Sequence, residues 1–473
     1  MSERIPAKII DAAAIRNTPA GSGGPIHTRG FTGRYRLFRL LGAGGLFALF
    51  FGTAWLTWNS RQAVLWDLAN RKFHIFGATY WPQDLILLSA ILIIAAFGLF
   101  FITVAAGRIW CGYTCPQSVW TWVFMWAEKV TEGDRHQRIR LDAAPWSANK
   151  LLRRSAKHTI WLGVSLMTSL TFVGYFTPIR ELSLGLLTFN LGSQAAFWVF
   201  FFTAATYINA GWLREKVCRD MCPYARFQSV MFDRDTLVIA YDAERGEQRG
   251  PRRKDSDPAA QGLGDCTDCT LCVQVCPTGI DIRNGLQFEC IGCAACIDAC
   301  DSVMDKMGYE RGLVRYTSER ALEGGTTRWL HPRLVGYAGM LTLMIGLFIL
   351  ALIERPLMSL DVTRDRTLFR ENSAGQLDNT YSLKIINKTQ QAEQYHISLD
   401  APEGFQLASP GQVRLDAEHI VDVPVSVVWT GEQGLAPRNR INFVLSTAED
   451  NGASIVAEST FLAPVRGPTS LDR

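Results

Sequence analysis

Long apolar stretches alternate with charged segments along the 473-residue chain. A helix of roughly 20 apolar residues is long enough to cross the hydrocarbon of a bilayer. Helices that are apolar on all faces are unusual in one soluble domain, so the pattern predicts a polytopic α-helical membrane protein. Five uncharged stretches are predicted transmembrane helices: Leu40–Ser60, Leu85–Gly107, Thr159–Ile179, Leu182–Leu213 (most apolar at Ala195–Ile208) and Leu334–Ile353.

The distribution of basic residues predicts the orientation of the chain. The N-terminal tail 1–37 and the loop 108–157 are rich in Lys and Arg, whereas 180–193 contains a single Arg. Because basic loops stay in the cytoplasm, the tail and the segment 214–332 are predicted to be cytoplasmic, and residues 360–473 to lie on the outer side. The tail is polar and lacks the features of a cleaved signal peptide, so none is expected.

Composition and cysteine usage agree with this arrangement. Hydrophobic residues make up 48% of the chain and charged residues 19%, which excludes a disordered or collagen-like protein. The formal net charge is +4, so no nucleic-acid partner is expected. All twelve cysteines lie between Cys111 and Cys300, on the predicted cytoplasmic side, where thiols stay reduced and are available for metals.

Two cysteine-rich motifs predict a ferredoxin-like domain in the segment 214–332. Residues 266–276 and 290–300 both have the spacing C-x2-C-x2-C-x3-C, which is typical of two-cluster ferredoxins, where the fourth cysteine binds the other cluster. Zinc is the alternative ligand, but two successive four-cysteine motifs favour iron-sulfur clusters. Acidic residues around the motifs, such as Asp298, are expected on a solvated surface. The predicted ligands are Cys266, Cys269, Cys272 and Cys300 for one [4Fe-4S] cluster, and Cys290, Cys293, Cys296 and Cys276 for the other.

The remaining cysteines form two C-x3-C-P motifs, each following a pair of predicted spans and preceding a Gln-Ser-Val sequence. The membrane part is therefore an internal repeat of two units. Residues i and i+4 share one face of a helix, so the two cysteines of each motif are expected to point the same way. The four cysteines of the repeat are Cys111, Cys115, Cys218 and Cys222.

Soft thiolates beside iron-sulfur clusters indicate a redox site, and thiolates also bind Cu(I). Three basic residues nearby, Arg108, Lys216 and Arg219, are expected to favour the thiolate form. A dithiol/disulfide couple, a further cluster and purely structural cysteines remain alternatives for the four cysteines of the repeat.

Short alternating strands follow the last span and predict an antiparallel sandwich of immunoglobulin type. This region contains no cysteine, so binding or a structural role is expected rather than catalysis. The predicted strands are Tyr381–Asn387, Gln394–Leu399, Gln412–Leu415, Ile420–Trp429, Ile441–Ser446 and Ser454–Phe461. The predicted domains are the tail 1–37, a four-helix membrane domain 38–213, the ferredoxin-like domain 214–332, a fifth transmembrane helix 333–354 and the outer sandwich 360–473.

Several phrases of the sequence resemble the FixG/CcoG family of cytochrome c oxidase accessory proteins. They are Trp81-Pro-Gln-Asp, Cys111-Gly-Tyr-Thr-Cys-Pro, Val275-Cys-Pro-Thr-Gly-Ile-Asp-Ile-Arg-Asn and Glu289-Cys-Ile-Gly-Cys-Ala-Ala-Cys. The resemblance implies a factor of the bacterial inner membrane that matures cbb3-type oxidases by reducing Cu(II) to Cu(I), with a periplasmic C-terminal domain.

By this resemblance the eight cluster cysteines carry electrons, and the four cysteines of the repeat are redox or copper residues. The implied cofactors are two [4Fe-4S] clusters and a copper ion, and the implied partners are the lipid bilayer and oxidase subunits or other assembly factors. Two other functions fit the same motifs: a quinol dehydrogenase subunit, and a non-enzymatic copper carrier or assembly scaffold.

Overall fold

The computed structural model describes residues 26–254, 262–366, 369–371, 376–408, 411–431, 435–447 and 454–464. The chain forms two compact units, one of Met1–Asp67 with Ile86–Phe348 and the other of Leu68–Leu85 with Ile349–Arg473. Most of the predicted N-terminal tail lies outside the described residues.

Helices dominate the chain as far as Ile353. Four helical segments, Arg34–Thr53, Pro82–Ala106, Ser193–Leu213 and Pro332–Ile353, are long and apolar enough to cross a membrane among the described residues. The helices are α1 (Arg34–Thr53), α2 (Leu85–Ala106), α3 (Ile109–Tyr113), α4 (Pro116–Glu132), α5 (Arg135–Ala143), α6 (Ala148–Val173), α7 (Ile179–Leu187), α8 (Ser193–Thr206), α9 (Pro223–Met231), α10 (Ala243–Gly246), α11 (Leu271–Gln274), α12 (Ala295–Met307), α13 (Glu319–Leu322) and α14 (Pro332–Ile353).

Three of the predicted spans have different bounds in the structure. The first helix is α1 rather than Leu40–Ser60, because the chain after Thr53 turns into a short hairpin of β1 (Thr57–Trp58) and β2 (Arg61–Gln62). The predicted span Leu182–Leu213 is interrupted between α7 and α8, and α8 continues as a π-helix over Tyr207–Leu213.

The predicted span Thr159–Ile179 corresponds to α6, which begins much earlier, at Ala148, and ends at Val173. Its first half carries Lys150, Arg154 and other charged residues, so α6 as a whole lacks the composition of the four apolar segments. The number of five transmembrane helices therefore stays a prediction.

Aromatic and polar contacts join the helices of the repeat. Trp161 of α6 stacks on Phe124 of α4 with ring centroids 5.2 Å apart, and its indole nitrogen donates to the Phe124 carbonyl at 3.1 Å. Farther along α6, Ser169 donates to the Val199 carbonyl of α8 at 2.6 Å. Such polar contacts link helices whose outer surfaces are apolar.

The cysteine-rich segment folds onto a two-stranded antiparallel sheet of β6 (Val238–Tyr241) and β7 (Val314–Thr317). Helices α11 and α12 each carry the third cysteine of one motif, and the fourth cysteine of the second motif is also on α12. Ile297 and Met304 of α12 are almost fully buried against this sheet.

The C-terminal region is a sandwich of two antiparallel sheets around one apolar core. All six predicted strands are confirmed. Three further strands, β8, β9 and β12, escaped prediction because β8 directly follows the last apolar helix, β9 has only two residues and β12 only four. The strands are β8 (Met358–Arg364), β9 (Arg370–Glu371), β10 (Leu377–Asn387), β11 (Glu393–Asp400), β12 (Phe405–Ala408), β13 (Gln412–Leu415), β14 (Ile420–Trp429), β15 (Arg438–Thr447) and β16 (Ser454–Leu462).

One sheet has the order β12–β14–β10–β8, with β9 paired to β10, and the other has the order β13–β11–β15–β16. Alternate residues of the long strands point into the core, as Leu383 and Ile385 do in β10. This period of two is the pattern that made the strands predictable from the sequence.

Residues 68–85 belong to the same unit as the sandwich. They follow the strand β3 (Val64–Asp67) in the chain and contain the hairpin of β4 (Lys72–Ile75) and β5 (Ala78–Tyr80). The Asp84 carboxylate is buried and accepts from Arg355 at 2.6 Å and from Lys388 at 3.0 Å. A buried acid between two cations therefore fastens this loop to the sandwich.

Candidate iron-sulfur and cysteine-pair site

Two cavities collect the eight cysteines of the ferredoxin-like motifs. One is lined by Cys266, Cys269, Cys272 and Cys300. The other is lined by Cys276, Cys290, Cys293 and Cys296, together with Cys272 from the first group. In each cavity the fourth cysteine comes from the opposite motif, which is the grouping that the spacing predicts. Ligation of iron by these residues stays a prediction.

The two motif loops have the same backbone conformation. The residues before and after the second cysteine are left-handed in both, with φ of 50° at Asp268 and 55° at Thr270 in the first motif, and 65° at Gly292 and 57° at Ala294 in the second. Alternating left- and right-handed residues turn successive N–H groups toward one concave side, a conformation that recurs at iron-sulfur sites. The Gly292 N–H already donates to the Cys290 sulfur at 3.5 Å.

The donor set suits a cluster better than a single ion. Among the described residues, no three Cys, His, Asp or Glu side chains converge closely enough to hold one metal ion, as a zinc site requires. Four thiols around one cavity are instead the donor set that a four-iron cluster takes. The residues therefore fit two [4Fe-4S] clusters, each of which would supply one-electron redox chemistry.

Burial determines the protonation of these thiols when no metal is bound. Burial raises the pKa of Cys272 and of Cys300 to about 12, and that of Cys290 also to about 12. At neutral pH these three thiols are therefore protonated in the metal-free chain. Iron must displace these protons when it binds, so cluster loading releases protons.

Each C-x3-C-P motif spans a break between two helices. Cys111 lies in α3, whereas Cys115 has φ −60° and ψ 126° and precedes α4, which begins at Pro116. A residue before proline avoids the helical region, and proline favours the first turn of a new helix. The expectation that both cysteines of a motif share one helix face is therefore wrong.

The second motif has the same arrangement. Cys218 lies in the π-helical turn Val217–Met221, and Cys222, with φ −80° and ψ 112°, precedes α9 at Pro223. The repeat recognised in the sequence is thus a repeat of local structure, because the break falls at the same place in both units.

The first cysteine pair lies directly against the second cluster motif. Cys111 and Cys218 pack on the apolar cluster that contains Cys293. A Cβ on Gly112 would lie 2.6 Å from the Gly292 carbonyl oxygen and 2.9 Å from the Cys293 Cα. Only glycine allows the two loops to approach so closely.

Arg108 strengthens this contact. Its guanidinium donates to the Cys290 carbonyl at 2.9 Å and to the Ala225 carbonyl of α9 at 2.8 Å. One buried side chain thus joins the second cluster motif to the helix that follows the second cysteine pair.

For Cys111 and Cys218, the expectation that basic neighbours favour the thiolate form is wrong for the metal-free protein. Burial, followed by the field of Cys115, raises the pKa of Cys111 to about 11, and burial raises that of Cys218 to about 12. The loss of hydration outweighs the opposing charge of Arg108. Arg219 is already paired with Asp220 at 2.9 Å on the surface.

The sequence interpretation missed two residues at this site. Gln228 is fully buried, and its side-chain oxygen accepts from the Cys111 thiol at 3.4 Å. Its repeat counterpart Gln117 instead donates to the Asn209 carbonyl at 2.9 Å. The repeated Gln-Ser-Val sequence was the available signal for Gln228.

The second residue that the sequence interpretation missed is Asp298. It is buried rather than solvated, because its carboxylate accepts hydrogen bonds from backbone N–H groups of α1.

Comparisons with known proteins agree with both halves of this description. Residues 213–319 match a family described as "4Fe-4S dicluster domain", and residues 348–464 match one described as "IG-like fold at C-terminal of FixG". The chain is 36% identical to the nitrogen fixation protein FixG of Rhizobium meliloti, over 88% of this chain and 87% of that protein. It is 38% identical to the protein RdxA of Cereibacter sphaeroides, over 86% and 87% of the two chains.

A crystal structure of a FixG-related protein from Vibrio parahaemolyticus aligns with 23% of this chain and 99% of its own, at 25% identity and a TM-score of 0.22. The dicluster domain, the apolar helices and the immunoglobulin-like region together define an iron-sulfur electron-transfer protein of the membrane. The chain belongs to the FixG family, with which it aligns over most of its length.

Proposed function

We propose that this protein is a membrane-bound cupric reductase that delivers Cu(I) for the assembly of a cbb3-type cytochrome c oxidase. In this proposal the chain crosses the bacterial inner membrane five times, with α6 as the third span. The cluster domain is cytoplasmic and the sandwich is periplasmic, where it binds oxidase subunits or other assembly factors.

The observation that carries the proposal is the contact of the cysteine pairs with the second cluster motif. Gly112, next to Cys111, meets the backbone of Gly292 and Cys293 with no space for a Cβ. The described residues thus form one continuous path from the cavity of Cys266 through the shared lining residue Cys272 to the cavity of Cys293. From there the path reaches Cys111 and Cys218, which pack on the apolar cluster that contains Cys293.

The cysteines of the repeat supply soft donors at the end of this path, and such donors favour Cu(I) over Cu(II). Two [4Fe-4S] clusters held by the eight motif cysteines would supply one electron each, enough to reduce one Cu(II) to Cu(I) per cluster, and an external one-electron donor would be needed to restore them. Because the thiols of Cys111 and Cys218 are protonated when no metal is bound, binding of copper at these two sulfurs releases protons.

The test uses the full-length protein under anaerobic conditions. Its clusters are reduced with dithionite, excess dithionite is removed, and Cu(II) is added with a Cu(I)-specific chelator. We expect recovery of the oxidised-cluster absorbance and about two Cu(I) per chain, one per cluster. The double variant Cys111→Ser, Cys218→Ser should slow this step by about tenfold or more.

The matched control is Met221→Leu, which removes an exposed thioether between the second pair of cysteines and leaves the thiols intact. It should react at the wild-type rate. Failure of Cu(II) to oxidise the reduced clusters would refute the proposed cupric reductase activity. Equal rates in wild type and double variant, with full iron content, would remove the cysteines from the path.

A further inference from the structure

A basic cavity lies beside the end of the first cluster motif, between α1 and α4. Its volume is about 70 Å³, which is room for several waters or for a phosphate group. Trp122 and Trp126 form part of its wall, and Val275 and Pro277, on either side of Cys276, form another part. Its described lining contains five cations and no carboxylate: Arg29, Arg36, Arg39, Lys129 and Arg138.

Arg39 is the residue that indicates a missing ligand. It is only 3% exposed, and its Nε has no hydrogen-bond partner. Its guanidinium lies 5.7 Å from the Trp122 ring centroid, and no ion pair to a described acid accompanies this contact. A buried charge without a counter-charge is costly unless a ligand supplies one.

Arg138 is another cation in the lining of the same cavity, and its partners are residues of the protein. Arg138 is also buried, but it donates to the Glu128 carboxylate at 2.7 Å and to the Thr28 carbonyl. Arg138 thus has a carboxylate partner, whereas Arg39 has the Trp122 ring but no ion pair to a described residue. The charge of Arg39 is therefore buried without a counter-charge among the described residues.

The position of the cavity identifies the anion. Arg36 and Arg39 lie in the first two turns of α1, which is one of the apolar helices long enough to span a bilayer. The ends of such helices lie among lipid headgroups, and Trp side chains are enriched there. Basic pockets between transmembrane helices bind the headgroups of anionic lipids. Arg suits phosphate because its guanidinium donates two parallel hydrogen bonds.

We propose that this cavity binds the headgroup phosphate of one anionic phospholipid, with the buried Arg39 guanidinium as its principal partner. The site is independent of the proposed copper chemistry, since it requires only the contacts of α1, α4 and the end of the first cluster motif. It places a lipid next to the loop that carries Cys276, so the membrane takes part in holding the cluster domain against the helices.

The test uses full-length protein with intact clusters in nanodiscs of phosphatidylcholine, with or without phosphatidylglycerol. Two quantities are measured: the midpoint of thermal cluster loss, and the phosphatidylglycerol retained after detergent extraction, by mass spectrometry. For the wild type we expect phosphatidylglycerol to raise the midpoint and about one lipid to be retained per chain. Arg39→Gln should abolish the rise and reduce retention about tenfold or more, as expected for a lost charge-assisted hydrogen bond.

In pure phosphatidylcholine, Arg39→Gln should be at least as stable as the wild type, because it removes an unpaired buried charge. A purely structural Arg39 would instead lower the midpoint equally in both kinds of nanodisc, which would overturn the proposal. Arg29→Gln, at an exposed residue of the lining, provides a second variant if Arg39→Gln does not fold. It should weaken retention in the same direction.

The matched control is Arg34→Gln, on the same helix. Its side chain is exposed and lies outside the cavity lining, and it removes the same charge. Arg34→Gln should respond to phosphatidylglycerol as the wild type does, in both the midpoint and the lipid retained. An equal loss of this response in Arg34→Gln and Arg39→Gln would indicate general attraction to an anionic surface. Inorganic phosphate that reproduces the rise in phosphatidylcholine alone would identify a soluble anion and overturn the lipid assignment.

Discussion

The carboxylate of Asp298 accepts a hydrogen bond from the backbone N–H of Arg36 at 2.8 Å. It also accepts from the Tyr35 N–H at 3.2 Å. Helix α1 has no capping side chain of its own, so a residue 262 positions away supplies the cap. Since Asp298 lies between Cys296 and Cys300 on α12, this bond couples the start of an apolar helix to the ligands of both predicted clusters.

Replacing Asp298 should loosen this coupling. We expect Asp298→Ala to lower the free energy of unfolding by about 1–2 kcal/mol, as for the loss of a helix cap, and to speed thermal loss of cluster absorbance. Asp305→Ala is the control, because Asp305 lies on the same helix and pairs only with Arg311 on the surface. An equal effect of the two changes would contradict a specific cap.

Substitution of Gly33 should also destabilise the protein, because Gly33 packs against the same Asp298 carboxylate. A Cβ at Gly33 would lie 2.2 Å from the Asp298 Cγ. Gly33→Ala should therefore displace the cap and destabilise the protein by about 1–3 kcal/mol, the range for overpacked sites. Thermal unfolding of Gly33→Ala, Asp298→Ala and the double variant measures this. The double variant should lose little more than Asp298→Ala alone, because the clash partner is gone.

The contact between Gly112 and the second cluster motif should control electron flow. Gly112→Ala inserts a methyl group 2.6 Å from the Gly292 oxygen, so we expect separation of the loops and slower oxidation of the reduced clusters by Cu(II), with iron content retained. Rapid-mixing absorbance measures the rate. Gly163→Ala, on a helix with no atom within 4 Å of the new Cβ, should match the wild type.

The crossed grouping of the cysteines predicts a pattern of iron loss. Cys266→Ala and Cys300→Ala combined should leave about four irons per chain, because both residues serve one cluster. Cys266→Ala with Cys296→Ala should leave almost none, although both pairs remove one cysteine from each motif. Iron and acid-labile sulfide analysis distinguishes them, and equal iron content in the two double variants would refute the crossing.

Asp235 gives a prediction for pH dependence. Its carboxylate accepts from Arg320 at 2.7 and 2.9 Å and from the Arg328 N–H at 3.0 Å, and the Arg320 side chain lowers the pKa of Asp235 to about 2. A depressed pKa stabilises the fold above the unfolded value of about 3.9, and the contribution disappears as the pH falls through the folded value.

Asp235→Asn should therefore cost on the order of 1 kcal/mol at pH 7, discounted because Arg320 is partly exposed. The difference from the wild type should shrink below about pH 4 and vanish near pH 2. Denaturant unfolding of both proteins across this range measures the difference in the free energy of unfolding. Loss of the clusters in acid affects the wild type and the variant equally, so it does not change this difference. A difference that is constant with pH would show that the ionised carboxylate is not the cause.

Asp84 should be essential for the sandwich unit. Asp84→Asn leaves Arg355 and Lys388 buried without their counter-charge, and breaking a buried pair costs about 3–5 kcal/mol. Glu458→Gln breaks an ion pair with Arg440 in which both side chains are largely exposed, and it should cost less than about 1 kcal/mol. Limited proteolysis of residues 360–473 reports both. Equal protease resistance of Asp84→Asn and Glu458→Gln would refute the structural role of Asp84.

The sequence predicted the features that depend on local periodicity and spacing. The strands of the sandwich alternate every second residue, so β10, β14 and β15 were found close to their observed bounds. The four-cysteine spacing likewise predicted the grouping around the two cavities. Helix ends were less predictable. Hydropathy alone does not show that α1 stops at Thr53 for a hairpin, or that α6 begins among charged residues.

The amino-acid sequence alone determined the chemistry of this protein: which residues are thiols, how far apart they stand along the chain, and which segments are apolar. Only the tertiary structure decided that the first cysteine pair lies against the second cluster motif, that Asp298 caps a helix far away in sequence, and that Arg39 is buried without an ion pair to a described residue. The physical reason is that ligand type and periodicity are properties of neighbouring residues. Burial and pairing, in contrast, depend on segments that meet only after folding.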